Sequence, residues 1–145
     1  MENIQNERMT LKELSQLYHL KREIEYDRER LARLRARRGA VSSPKLDGLP
    51  SSAVGGQSTV ENLALEIADL EAIIDSKITQ CIHEQNRLER YIAGIPDSRT
   101  RMIMSFRFVD GLSWGKVAYN VGGGNTADSV KKTCYRYLKK EKELS

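Results

Sequence analysis

The chain has 145 residues, of which 39% are hydrophobic, 30% charged and 6% aromatic, with three prolines; this argues against a strand-rich sandwich and fits one or two small helical domains. Its net charge of +4 is uneven, with +3 on residues 1–40, −4 on 41–95 and +5 on 96–145, so basic ends flank an acidic middle and an anionic partner such as nucleic acid is expected. No apolar run approaches the ~18 residues of a membrane span, "MENIQNERMT" has no secretory apolar stretch, and Cys81 and Cys134 form no CxxC pair, so the expectation is a cytoplasmic protein with reduced thiols and no membrane association.

From Thr10 to about Arg38 there is no glycine or proline, and Leu17, Leu20, Ile24, Leu31 and Leu34 fall at helical spacing, interrupted by Asp27. This predicts an amphipathic helix. Its second half, "RERLARLRARR", is strongly basic: either a solvated face or a secondary contact to a DNA backbone, and the sequence leaves both open. Residues 39–57, "GAVSSPKLDGLPSSAVGGQ", read as a flexible loop.

Ser58 is placed to cap the next helix, with Glu61 returning the bond. Positions 63, 67, 70, 74, 77, 81, 84, 88, 91 and 95 then step by 4 and 3, and all but Lys77 and Glu84 are apolar or cysteine. That is a coiled-coil seam with two polar positions that can set register. Ile73, Ile78, Ile82 and Ile92 widen the stripe. The expectation is a helical hairpin over residues 1–95 whose leftover apolar surface joins chains into a homo-oligomer, a dimer being favoured.

Gly94 and Pro96 end that helix, and Asp97 or Ser98 can cap the next. A third helix, about Arg99 to Val109, should turn Met102, Ile103, Phe106 and Val109 inward. Ser113 caps a fourth with Trp114, Val117, Ala118 and Val121 on its apolar side. Asn125 or Thr126 caps a fifth, with Val130, Cys134, Tyr137 and Leu138 on one buried face.

Three glycines, Gly122 to Gly124, separate the fourth and fifth helices. A phosphate-binding loop would need a preceding strand and a following Lys-Ser/Thr pair, and a dinucleotide fingerprint also needs the strand; neither is present. The segment suits the turn of a helix-turn-helix over 96–145. Ala118 is small where two helices meet, Val121 closes the first, glycine permits the positive φ of the turn, and Val130 anchors the second. The outward residues Asn125, Thr126, Asp128, Ser129, Lys131, Lys132, Tyr135, Arg136 and Lys139 are then candidate contacts to bases and phosphates of double-stranded DNA.

The stretch "RTRMIMSFRFVDGLSWGKVAYNVGG" with "DSVKKTCYRYLKK" resembles region 4 of the sigma-70 factors, and more closely the phage transcriptional regulators of the ArpU/RinA type. The matching elements are Arg107-Phe108, Asp110 to Trp114, Ala118, Val121, Ser129-Val130 and Tyr135 to Lys140, with Thr59-Val60-Glu61 upstream. Ala118 and Val130 stand twelve residues apart, so the turn is longer than in many helix-turn-helix units. The resemblance implies an all-α fold, a long N-terminal helical hairpin followed by a DNA-binding domain. It implies a phage or prophage regulator that activates late genes at promoters through contact with RNA polymerase. A small terminase subunit for DNA packaging is the alternative, because it too would join a helical DNA-binding domain to an oligomerising coiled coil. A large ring would favour packaging, a dimer or tetramer regulation. No catalytic or metal-binding arrangement is evident around His19, His83 or the cysteines, so neither an enzyme nor a cofactor is expected.

Overall fold

Thr10 opens the first helix through a capping box that the sequence reading missed. The Glu13 amide donates to Thr10 Oγ1 at 3.2 Å, and the Thr10 amide donates to Glu13 Oε2 at 3.3 Å, which satisfies two otherwise orphaned donors. In the computed structural model, which describes residues 8–42 and 53–143, this helix is α1, Leu11–Ser42. It is followed by α2, Ala53–Ala93; α3, Ser98–Met104, which runs into a π-helical turn at Ser105–Val109; α4, Trp114–Val121; and α5, Ala127–Glu143. The fold is all-α, with no strand among the described residues.

Two boundaries differ from expectation. α2 starts at Ala53, so Ser58 lies inside the helix and is not its cap. Glycine weakens a helix by about 1 kcal/mol relative to alanine but does not forbid it, and no proline interrupts residues 53–58. The ends of the expected loop over 39–57 are therefore helical, at 39–42 and 53–57; its centre, 43–52, lies outside the described residues.

The chain divides into two compact units. One spans Lys21–Gln80; the other combines Met1–Leu20 with Cys81–Ser145. In the first, α1 and α2 run antiparallel. Leu31 and Leu34 pack with Leu63, Ile67, Leu70 and Ile74, and Ile78 flanks them. Beyond this cluster the seam meets charge. Lys77 donates to Asp27 Oδ2 at 2.6 Å and lies 3.4 Å from Glu23, so Asp27, only 5% exposed, has a partner. Arg35 and Glu71 pair at 2.9 Å at the edge.

In the second unit, Met9, Leu14 and Leu17 join Leu88, Tyr91, Ile92 and Ile95, and all of these pack with Ile103, Met104, Phe108, Val117, Ala118, Val130 and Cys134. The other polar seam position, Glu84, is 4.0 Å from Arg87, which reaches Glu13 at 3.5 Å. A division at residues 95/96 is therefore not where the core divides. Pro96 ends a helix, but Ile95 and the side chains before it are sealed into the same interior as α3 to α5.

α3 is capped by Asp97, which accepts from the Thr100 amide at 2.9 Å and the Thr100 hydroxyl at 2.6 Å. These bonds hold its carboxyl below the usual range, the hydroxyl contributing most. The inward set is Thr100, Ile103, Met104 and Phe108. Met102 faces out, 39% exposed, while Phe106 and Val109 are only half-buried. Of the expected inward residues only Met102 points away; Ile103 is buried, and Phe106 and Val109 pack against the core from its edge, while past the seven residues of α3 the helix widens: the Asp110 amide donates to Ser105 O, five residues back, at 3.0 Å, a π turn.

Candidate nucleic-acid interface

α4 begins at a cap. Ser113 Oγ accepts from the Lys116 amide at 3.3 Å. Val117 and Ala118 are buried, Trp114 and Val121 half-buried, and the face opposite presents Lys116, Tyr119 and Asn120, with Tyr119 86% exposed. The helix ends where the Gly122 amide donates to Ala118 O at 3.0 Å. Gly122, Gly123 and Gly124 then adopt φ of 74°, 64° and 76°, a left-handed run that would cost residues with a Cβ roughly 1–2 kcal/mol each. Three glycines are thus what this turn requires.

Thr126 is the cap of α5. The Ser129 amide donates to Thr126 Oγ1 at 3.1 Å, and the Thr126 amide donates to Ser129 Oγ at 2.9 Å. Asn125 does something else. Its Oδ1 accepts from Arg99 Nη2 at 2.6 Å and Nε at 3.2 Å, and its Nδ2 donates to Gly122 O. Arg99 Nη1 continues to Thr133 Oγ1 at 2.6 Å, and that hydroxyl donates to Ser129 O at 2.9 Å. One guanidinium from the start of α3 therefore ties the turn to the second turn of α5. Arg99 carries no such signal in the sequence, because an arginine two residues after a helix cap is commonplace by itself and its partners lie 26 and 34 positions on.

The nine candidate residues fall into two groups. Asn125, Thr126 and Ser129 are engaged in holding the turn and the cap. Asp128, Lys131, Lys132, Tyr135, Arg136 and Lys139 are exposed on one face of α5, opposite buried Val130 and Cys134. Lys132 pairs with Asp128 one turn back at 2.9 Å. The Lys131 ammonium lies 5.9 Å from the Tyr135 ring centre. Tyr135 meets Trp114 edge-on, with centroids 6.1 Å apart, and the Arg107 guanidinium covers the Trp114 ring at 4.5 Å while donating to Leu112 O at 2.9 Å. A cation–aromatic ladder thus runs from Lys131 through Tyr135 and Trp114 to Arg107.

On the buried side, desolvation pushes the Cys134 thiol up to about 12, and its Sγ lies 3.8 Å from Met104 Sδ. Near the end of α5, Glu141 accepts from both the Tyr91 and Tyr137 hydroxyls. Burial, then the bonds to Glu141, raise both phenol pKa values. No cluster of three or more metal-ligating side chains occurs among the described residues, and no helix among them is long and apolar enough to cross a membrane. Compared with protein-family models, curated proteins and solved structures, the chain matches none.

Proposed function

We propose that the chain is a sequence-specific double-stranded-DNA-binding protein that regulates transcription in a phage or prophage. The α4–turn–α5 segment would act as a helix-turn-helix, and the antiparallel α1–α2 pair as the oligomerising part. The observation that carries the reading is the two-sided character of α5: of the six candidate residues exposed on its open face four are Lys or Arg and one is Tyr135, while its opposite face is sealed against α3 and α4. Cations can hold phosphates, and the polar residues near the start of the helix can approach base edges in the major groove. Arg99 supports the reading, because it fixes a long turn in one geometry. The sequence resemblance adds the expectation of promoter binding and contact with RNA polymerase.

Two copies on a two-part site belong to the same proposal. The seam residues Leu63, Ile67, Leu70 and Ile74 are used within the chain, which leaves Leu65 and Ile73 exposed for a second copy. Sedimentation at micromolar concentration tests this part; a monomer that occupies a full site tightly would remove it.

Footprinting of the full chain on its own genomic DNA tests the main reading. One or a few protected sites are expected. Lys132→Ala should lower the slope of log affinity against log salt by about 0.9 for a single lost phosphate contact. Uniform weak binding everywhere, unchanged by Lys132→Ala and Arg136→Ala together, would remove α5 from the interface.

A further inference from the structure

α1 carries a second basic face that the α5 reading does not use. Between Arg28 and Arg38 there are six arginines and one acid, Glu29. Arg30, Arg33 and Arg37 are exposed and follow at steps of three and four, which places them on one side of the helix with Tyr26 one turn before, 60% exposed. Arg35, on another side, shows what happens when an acid is in reach: it bonds to Glu71. Arg30, Arg33 and Arg37 make no ion pair with any described residue. Like charges at these spacings repel and oppose the helix by a few tenths of a kcal/mol per pair. Their charges therefore add nothing to the fold of the unit that contains them.

We infer that the Arg30–Arg33–Arg37 face of α1 is a second DNA-binding surface, which holds the phosphate backbone of a duplex without reading its sequence. Guanidinium groups match phosphate oxygens with paired donors, and the run contains arginine and no lysine. A membrane surface fits poorly, because the exposed apolar side chains of the face, Tyr26 and Val41, stand at its two ends with the three arginines between them, so no continuous apolar stripe is offered to acyl chains. An acidic protein also fits poorly, since the face lacks the apolar centre of a protein interface.

The test uses the full chain and a duplex with no specific site. Arg30→Gln/Arg33→Gln/Arg37→Gln should reduce the slope of log affinity against log salt by about 2–3 units, at ~0.9 per phosphate released, with unchanged helix content because glutamine is nearly as good a helix former. The triple lysine variant keeps the charge and should keep the slope. An unchanged slope in the glutamine variant overturns the inference, as does a slope that falls equally in the lysine variant. Vesicles of phosphatidylserine and phosphatidylcholine provide another arm: wild-type binding that the glutamine variant loses, with its DNA slope intact, assigns the face to membranes and overturns the inference. Lys132→Ala/Arg136→Ala, measured alongside, separates this surface from α5. Loss only in the α1 variant leaves the inference standing and removes the α5 reading; loss only in the α5 variant does the reverse.

Discussion

Arg99 and Asn125 show how a single side chain can set the geometry of a turn. The left-handed glycines permit the path between α4 and α5 without choosing it, and the Arg99 fork chooses it by occupying Asn125 Oδ1 and Thr133 Oγ1 together. Arg99→Ala should destabilise the fold by about 1–3 kcal/mol, the usual cost of leaving such acceptors without a donor. It should also weaken DNA binding while leaving the salt slope unchanged, since a positioning residue releases no counterions of its own. A slope lower by about one unit would instead make Arg99 a phosphate contact. Cys134 offers a second check at this scale. With its pKa raised to about 12 by burial, it holds almost no thiolate at pH 8. A thiol reagent should label half-buried Cys81 in the native protein and reach Cys134 only on unfolding; equal native rates would mean that the α3–α5 contact opens readily. Neither Asn125's role nor the Arg99 fork was legible in the sequence. Asn125 was equally suited to cap, turn and base contact, and only the distance to an arginine 26 positions earlier decides among them.

The elements were more legible where a pattern repeats. The seam runs through nine positions of α2 and Ile95 just beyond it, and the eight apolar or cysteine ones are buried or half-buried. Asp27 and Lys77 were visible as breaks in two separate stripes, but nothing in either stripe stated that they meet. Their pairing raises the Lys77 pKa above 10.5, the bond to Asp27 contributing most. A raised pKa means that the folded state binds the Lys77 proton more tightly, so its stabilisation is full below about pH 10 and is lost as the pH rises through the raised value. Lys77→Met should therefore destabilise the α1–α2 pair by about 1–3 kcal/mol or more, because it leaves a buried carboxylate without its donor, and the loss should disappear above that pH range. Adding Asp27→Leu should recover most of the stability, since an apolar pair in place of a buried ion pair is often neutral or better. A double variant as unstable as the single one would show that the charges are not coupled. α3 marks the other limit. With Met102, Ile103 and Met104 adjacent in seven residues and a π turn following, helical phase cannot be fixed by counting.

At the scale of the whole molecule, the helical class was readable from the absence of strand patterns, but the limits of the cores were not. Proline and glycine mark where helices stop, and a core can continue across such a stop. Residues 96–145 contain their own apolar set, which makes an independent domain plausible from sequence; yet Met9, Leu14, Leu17, Leu88, Tyr91, Ile92 and Ile95 are buried in the same cluster. Fully burying such side chains contributes roughly 1.5–3 kcal/mol apiece, so the loss of seven is comparable with the entire net stability of a small domain, about 5–15 kcal/mol. Residues 96–145 expressed alone should therefore lack a cooperative melting transition and bind DNA weakly. A single chain in which residues 8–20 and 81–143 are retained and the rest of the α1–α2 pair is replaced by a short linker should melt cooperatively. Circular dichroism of the two fragments against temperature checks both halves. A sharp transition in the short fragment would mean that α3 to α5 close their core without the ends of α1 and α2, and the division at residues 95/96 would then be the physical one.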